Sequence, residues 1–379
     1  MRTVAASLLL LLVANRAAAD STALAKSWEL ETHGVLPQAV VADPDRKHLY
    51  SALKTGGLAV YALGTADQPP KEIARVSIAQ LGKLDVMHLA QRGENLYLAL
   101  GDLFATGGSQ AGLAIVNVSN RSAPRLTGLW VSPEPMHGSA IVAVDERHAY
   151  LGAMSDGVMI FDIATPASIK LVSRFQPDVD FPKPKPTKVQ HPNARGFALA
   201  GNTLYVAYDA GGIRTLDITN RAKPRETGRY VNAAMGTKQQ AYNNLVLHGG
   251  KLYAAIDYAG LEILDATNPA KLRQLGWWNP WKAETPANLW FNSPGHVNQI
   301  ALDTEKKFAY LSAGDSDLQV VNVADAAKPS LVHHYGEPKD GRGVWGVTLA
   351  GDRVYLTYIN AVVPFRGTWS GIVAVKAPK

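Results

Sequence analysis

The chain has no cysteine. Disulfides and thiolate metal sites are therefore excluded, and any metal must be held by histidine or oxygen ligands. It has no long apolar run either. The longest candidate, Val4 to Val13, is about ten residues, well short of the roughly 18 that a membrane-spanning helix needs. Charge of one sign is also scarce. There are 38 Lys and Arg against 32 Asp and Glu, a formal charge of +6, or +4 once Arg2 and Arg16 leave with an N-terminal leader. The basic residues are scattered rather than blocked, so no nucleic-acid partner is expected. Local catalytic signatures are missing as well. There is no nucleophile elbow, phosphate loop, dinucleotide fingerprint, deaminase motif or HExxH pair.

What is present begins with an export signal. Arg2 is followed by the Val4–Val13 run, and Ala17-Ala18-Ala19 offers a small-residue cleavage site before Asp20. Residues 1–19 read as a signal peptide, and 20–379 as the mature chain, periplasmic or secreted. A soluble monomer without a membrane span is expected. Lacking disulfides, it must be held together by its core.

One segment recurs seven times: apolar-Tyr-apolar, a short turn, then Gly-apolar-x-apolar-apolar. The tyrosines are Tyr50, Tyr97, Tyr150, Tyr205, Tyr253, Tyr310 and Tyr355, spaced 47, 53, 55, 48, 57 and 45 apart. The segments are short, rich in Val, Ile, Leu and Tyr, and punctuated by Gly, Asp and Asn, so they read as strands. The second unit shows four: a at Val86–Ala90, b at Leu96–Leu100, c at Leu113–Val118 and d at Arg125–Val131. A four-stranded unit of this period is a propeller blade. The expected fold is all-β, a single seven-bladed β-propeller. The last unit stops after strand c at Gly371–Val375, and Trp28–Glu31 is positioned to supply its missing strand d and close the ring.

Strand c and its exit carry the most regular pattern: GLAIVNVSNRSAP (112–124), GIRTLDITNRAKP (212–224) and GLEILDATNPAKL (260–272). These segments resemble the LVIVD-repeat family. The resemblance spans nearly the whole mature chain. It implies an exported propeller and no particular activity, because function lies in sites rather than folds. The residues ending strand c, Asn117, Asp162, Asp217, Asp265 and Asn322, read as bonding the turn that follows. Asp43 with Asp45, and Asp315 with Asp317, likewise read as turn residues rather than calcium ligands.

The insertions point to one face. Long b–c loops (101–111 and 360–370) and d–a loops (176–193, 231–240 and 277–295) share it, while the a–b and c–d turns stay short. Aligning the seven a strands places Gln38, Asp85, Ala140, Arg195, Asn243, Asn298 and Trp345 at one level of the central channel. Five of these are polar or charged. They outline a pocket in which Arg195 meets an anion and the amides orient it. His137, His191 and His296 precede strand a in three different blades. They form the alternative reading, a metalloenzyme whose imidazoles hold a first-row transition metal at the channel mouth. His33 and His88 are weaker candidates. The 277–295 loop carries Trp277, Trp278, Trp281, Trp290 and Phe291, with Phe365 and Trp369 in the neighbouring blade. Such a set packs as a lid or stacks against a small molecule, a glycan or a protein. On these grounds a binding or scaffold module is the leading expectation.

Overall fold

The computed structural model describes residues 21–379 except 46, 106–107, 184–190, 339 and 362–366. The signal-peptide reading of 1–19 and Phe365 therefore lie outside the described residues. Each repeat folds as a four-stranded antiparallel blade. In blade two, strand a is Val86–Arg92, b is Asn95–Leu100, c is Gly112–Asn117 and d is Arg125–Val131. The middle strands are buried on both sides because each blade is packed between two others. That is why LYLAL and LAIV run apolar without alternation. The outer strand, RLTGLWV, mixes exposed and buried positions because it lies at the rim.

The inner strands are Ala39–Ala42, Val86–Arg92, Ile141–Val144, Gly196–Ala200, Tyr242–His248, Gln299–Asp303 and Val344–Ala350, and each packs against the next round a closed ring. Seven apolar clusters fill the seven gaps between neighbouring blades. The last cluster joins Trp28, Tyr355 and Ile372 of blade seven to Val40, Leu49 and Ala59 of blade one. Lys26–Glu31 pairs antiparallel with Gly371–Lys376, so the outer strand of blade seven comes from the N-terminal side. A short segment just before it, Thr22–Ala23, adds in parallel to the outer strand of blade six, Ser330–Tyr335. The sequence offered no sign of this fifth strand.

The repeated polar residues tie the blades together at the a–b/c–d face. All five residues ending strand c accept a backbone N–H two residues on, at 3.2 Å for Asn117, 2.9 Å for Asp162, Asp217 and Asn322, and 3.0 Å for Asp265. In two blades the recurring tyrosine also reaches a carboxylate. Tyr150 donates to Asp145 at 2.7 Å, and Arg221 from blade four reaches the same carboxylate at 3.2 Å. Tyr50, Asp43 and Arg121 repeat the arrangement between blades one and two. Asp43, Asp45 and His48 are the one group among the described residues in which three potential metal ligands converge. Tyr50 and Arg121 occupy Asp43, and His48 bonds Asp45 at 2.9 Å, so hydrogen bonding accounts for the grouping.

Candidate functional site

At the opposite face the b–c turns of blades one, three, four and six are stitched to the start of the next blade's inner strand. Lys54 bridges to Val86, Met154 to Ala194, Asp209 to Tyr242 and Gly314 to Val344. The turns therefore crowd round the channel mouth on rigid backbone. Leading into strand a, Gln38, Ala140, Arg195 and Asn298 each donate a backbone N–H to the end of their own blade's strand b, at 2.7, 2.8, 2.9 and 3.0 Å. They occupy one structural level, as the alignment of the repeats expects.

Three blades depart from that level in a way that matters. The a–b pairing slips by one residue between Val86 and His88, between Tyr242 and Asn244, and between Val344 and Gly346. Such bulges re-aim side chains. Here they bring Met87 with His88, Asn243 with Asn244, and Trp345 to the mouth. The opening is continuous with solvent. Its wall also includes Leu103, Ala140, Ile141, Arg195, Asn298 and Gln299. No acidic side chain is part of this lining.

The electrostatics centre on Arg195. Its guanidinium lies 5.6 Å from the Trp345 ring centroid. Among the described residues it makes no side-chain hydrogen bond and no carboxylate lies within ion-pair distance. The nearest carboxylate to sense its charge is Asp209. Burial pushes that carboxyl up to about 6, against the opposing pull of Arg195 and a 3.0 Å hydrogen bond from Asn193. His88 is held neutral, since desolvation pulls its imidazole down to about 4. Its Nδ1 accepts from the Val142 N–H at 3.4 Å, leaving the ring proton on Nε2.

The amides divide into two kinds. Asn243 donates to the Val297 carbonyl at 3.0 Å, and Asn298 donates to the His296 carbonyl at 3.1 Å. Both are buried and brace the wall. Asn244 and Gln299, one residue further on, are partly exposed in the mouth, and their side-chain amides bond none of the described residues. Sequence reasoning singled out the bracing pair and missed the available pair. A one-residue bulge lies below what a pattern of repeats can show.

Other expectations are corrected. Asp85 does not face the pocket as a lone acid; Lys54 holds it at 3.2 Å while also meeting Asp102 at 2.9 Å. The three histidines do not form one metal site, because their ring nitrogens do not all come within 4.8 Å of one another. His137 is exposed and bonded to Asp156 at 3.0 Å. His191 is exposed, with Nδ1 3.1 Å from the Pro192 carbonyl oxygen. His296 is fully buried, with Nδ1 2.5 Å from Asp257. A first-row metal needs its ligand nitrogens roughly 2.0–2.2 Å from one point, and this arrangement does not provide one. The aromatic loop packs mostly on itself. Trp281 is buried against Trp278 at 5.8 Å between centroids, and Trp290 stacks edge-on to His296. Trp281 is thus core rather than a stacking platform, whereas Leu289 and Phe291 remain exposed. Phe104, on the blade-two loop, is exposed too and lies 5.4 Å from Trp345, so it roofs one side of the mouth.

Comparison with known proteins agrees with this architecture. A family model for the LVIVD repeat matches residues 107–130, 138–176, 193–232 and 294–336. The protein is an LVIVD-repeat β-propeller. No curated protein matches this chain. Among solved structures it is similar to the WD40 repeats of RRP9, with a TM-score of 0.67 at 12% identity over 94% of this chain and 99% of that one. It is also similar to U3-55K, at 0.62 and 12% over 92% and 98%, and to the computationally designed Ika8 protein, at 0.53 and 11% over 93% and 99%. At such identities the likeness concerns the fold alone.

Proposed function

We propose that this LVIVD-repeat propeller is an exported binding module that captures a small anionic ligand at its channel mouth, with Arg195 as the anchor. Export rests on the Arg2, Val4–Val13 and Ala17–Ala19 pattern. The ligand reading rests on one observation. A guanidinium stands in a concave, solvent-connected pocket without a carboxylate of its own, over the face of Trp345. Arginine is fully charged at any physiological pH and presents a planar fork of donors. A charge in that position is satisfied by water or by an incoming anion, and a carboxylate that takes the fork bidentately is the stronger partner. The surrounding wall is rigid backbone, so little ordering cost opposes binding.

The test is a binding titration of mature protein with simple carboxylates, comparing wild type with Arg195→Ala and Arg195→Lys. Loss of binding in Arg195→Ala, with partial retention in Arg195→Lys and unchanged melting temperature, supports the reading. Equal binding in all three proteins overturns it.

A further inference from the structure

The polar groups left available in the mouth are of two chemical kinds, and together they describe a ligand. Arg195 is a pure donor with a fixed positive charge. Asn244 and Gln299 each offer one amide oxygen to accept and one NH₂ to donate, and neither is spent on the described residues. His88 offers its Nε2–H as a neutral donor, because Val142 occupies Nδ1. Met87, Leu103, Ile141 and Trp345 also belong to the lining, most of them largely buried.

We infer that the mouth receives a polyhydroxylated monocarboxylate, an acidic sugar of the hexuronate type, with its carboxylate on Arg195 and its hydroxyls on Asn244 and Gln299; this rests on the anion-site reading above. Three features of the wall select this class over other anions. Among the described residues Arg195 is the one cation in the lining, which suits a single negative charge rather than a doubly charged phosphate. The two available amides both donate and accept, which matches a hydroxyl. A fully ionised inorganic anion such as sulfate only accepts, so it can use the NH₂ groups of Asn244 and Gln299 but not their oxygens, whereas a hydroxyl uses both. Among the described residues the lining holds no carboxylate, so no acid in direct contact answers the ammonium of an amino acid. The mouth is open to solvent, so a sugar would be held at its rim by these polar groups rather than enclosed.

The experiment is a calorimetric or tryptophan-fluorescence titration of the mature protein with galacturonate, glucose, acetate, benzoate, glutamate and inorganic phosphate. Galacturonate is expected to bind at least tenfold more tightly than every other member of the panel. Asn244→Ala and Gln299→Ala are each expected to weaken galacturonate by roughly three- to tenfold while leaving acetate unchanged, as for the loss of one hydrogen bond. Gln299→Glu places a negative charge beside the carboxylate and should weaken galacturonate while sparing glucose. Melting temperatures of all variants are measured alongside, and Asn244→Ser replaces Asn244→Ala if the latter fails to fold. If acetate, benzoate, glutamate or phosphate binds as tightly as galacturonate, or the amide variants are silent, the sugar assignment is overturned and the anion site stands. If no carboxylate binds, or Arg195→Ala keeps full affinity, both fall together.

Discussion

The two faces of the ring use charge in opposite ways. On the a–b/c–d face, carboxylates and guanidinia are spent on each other: Asp43 with Arg121, Asp145 with Arg221, Asp162 with Arg147, Asp217 with Arg225, Asp265 with Arg273. These pairs recur with the repeat and hold neighbouring turns and blades in place. On the d–a/b–c face the repeat is broken by insertions and bulges, and the side chains of Arg195, Asn244 and Gln299 make no hydrogen bond among the described residues, Arg195 meeting only the Trp345 ring. Repeated polar residues here are architecture. Polar residues that break the repeat and stay uncommitted are the ones available to a ligand.

The largest expected effect tests the ring that both faces depend on. Removing residues 20–32 strips the outer strand of blade seven and pulls Trp28 from its pocket beside Tyr355, where ring centroids lie 5.9 Å apart. Trp28→Ala alone is expected to cost about 3–5 kcal/mol, and the deletion more, because it also exposes a sheet edge. Differential scanning calorimetry reads both. A deletion variant that melts with wild type would show that the ring does not need this strand.

On the paired face, the buried latch should outweigh the exposed pairs. Burial raises Asp145, yet hydrogen bonds from Tyr150, from the Arg147 and His148 N–H groups and from Arg221 win, holding its carboxyl at about 2. Its folded pKa lies below the unfolded value of about 3.9. The stabilisation is therefore present at neutral pH and fades as pH falls below about 4 toward 2. Arg221→Ala is expected to cost about 1–3 kcal/mol, and Arg225→Ala, whose pair with Asp217 is exposed, less than about 1 kcal/mol. Urea unfolding at pH 7 compares them. Equal costs would mean that repetition, not burial, sets the value of these pairs.

On the open face the direction reverses. Arg195→Ala is expected to change stability by no more than about 1 kcal/mol, as for the loss of one cation–π contact with Trp345, while removing anion binding. Unfolding of Arg195→Ala would show that the guanidinium serves the fold.

The difference between the faces also explains what could be read from sequence. Tyr50 through Tyr355 and the Gly-apolar strand c recur in register, so the blades, their order and the turn-bonding role of Asp217 and its equivalents were legible. The level of Arg195 and Asn298 was legible because no bulge precedes them in blades four and six. Asn244 was not, and His88 was named only as a weaker candidate, since a single-residue slip of strand pairing reverses which side chains face the channel. Trp281 misled because burial of an aromatic residue in a long loop depends on what folds back over it. Here Gly295 lies against its ring, close enough that a Cβ there would clash. The three histidines misled for a related reason. Positions six to eight residues before the aligned end of strand a, similar but not equivalent, put His296 in the core and His137 in solvent.

The smallest effect is the most diagnostic of the open face, since it alters neither Arg195 nor the ligand. Asp209 sits at the blade-four b–c turn, where its backbone bridges to Tyr242, and burial raises its carboxyl to about 6. Below that pH the group is neutral and Arg195 carries the only charge in play between them. Above it, a carboxylate appears close enough to partly cancel the guanidinium. A carboxylate ligand is itself ionised from about pH 4 upward. Anion affinity is therefore expected to be greatest between about pH 4.5 and 6 and to decline several-fold by pH 8, the size of effect that partly screened charges produce. The stability sign runs the same way. The folded form holds its proton more tightly than the unfolded one, so this group's contribution to stability weakens as pH rises from about 4 through 6. Asp209→Asn keeps the shape and removes the titration. It is expected to flatten the affinity profile and hold it at the low-pH level. A variant whose affinity still falls between pH 6 and 8 would place the titrating group elsewhere.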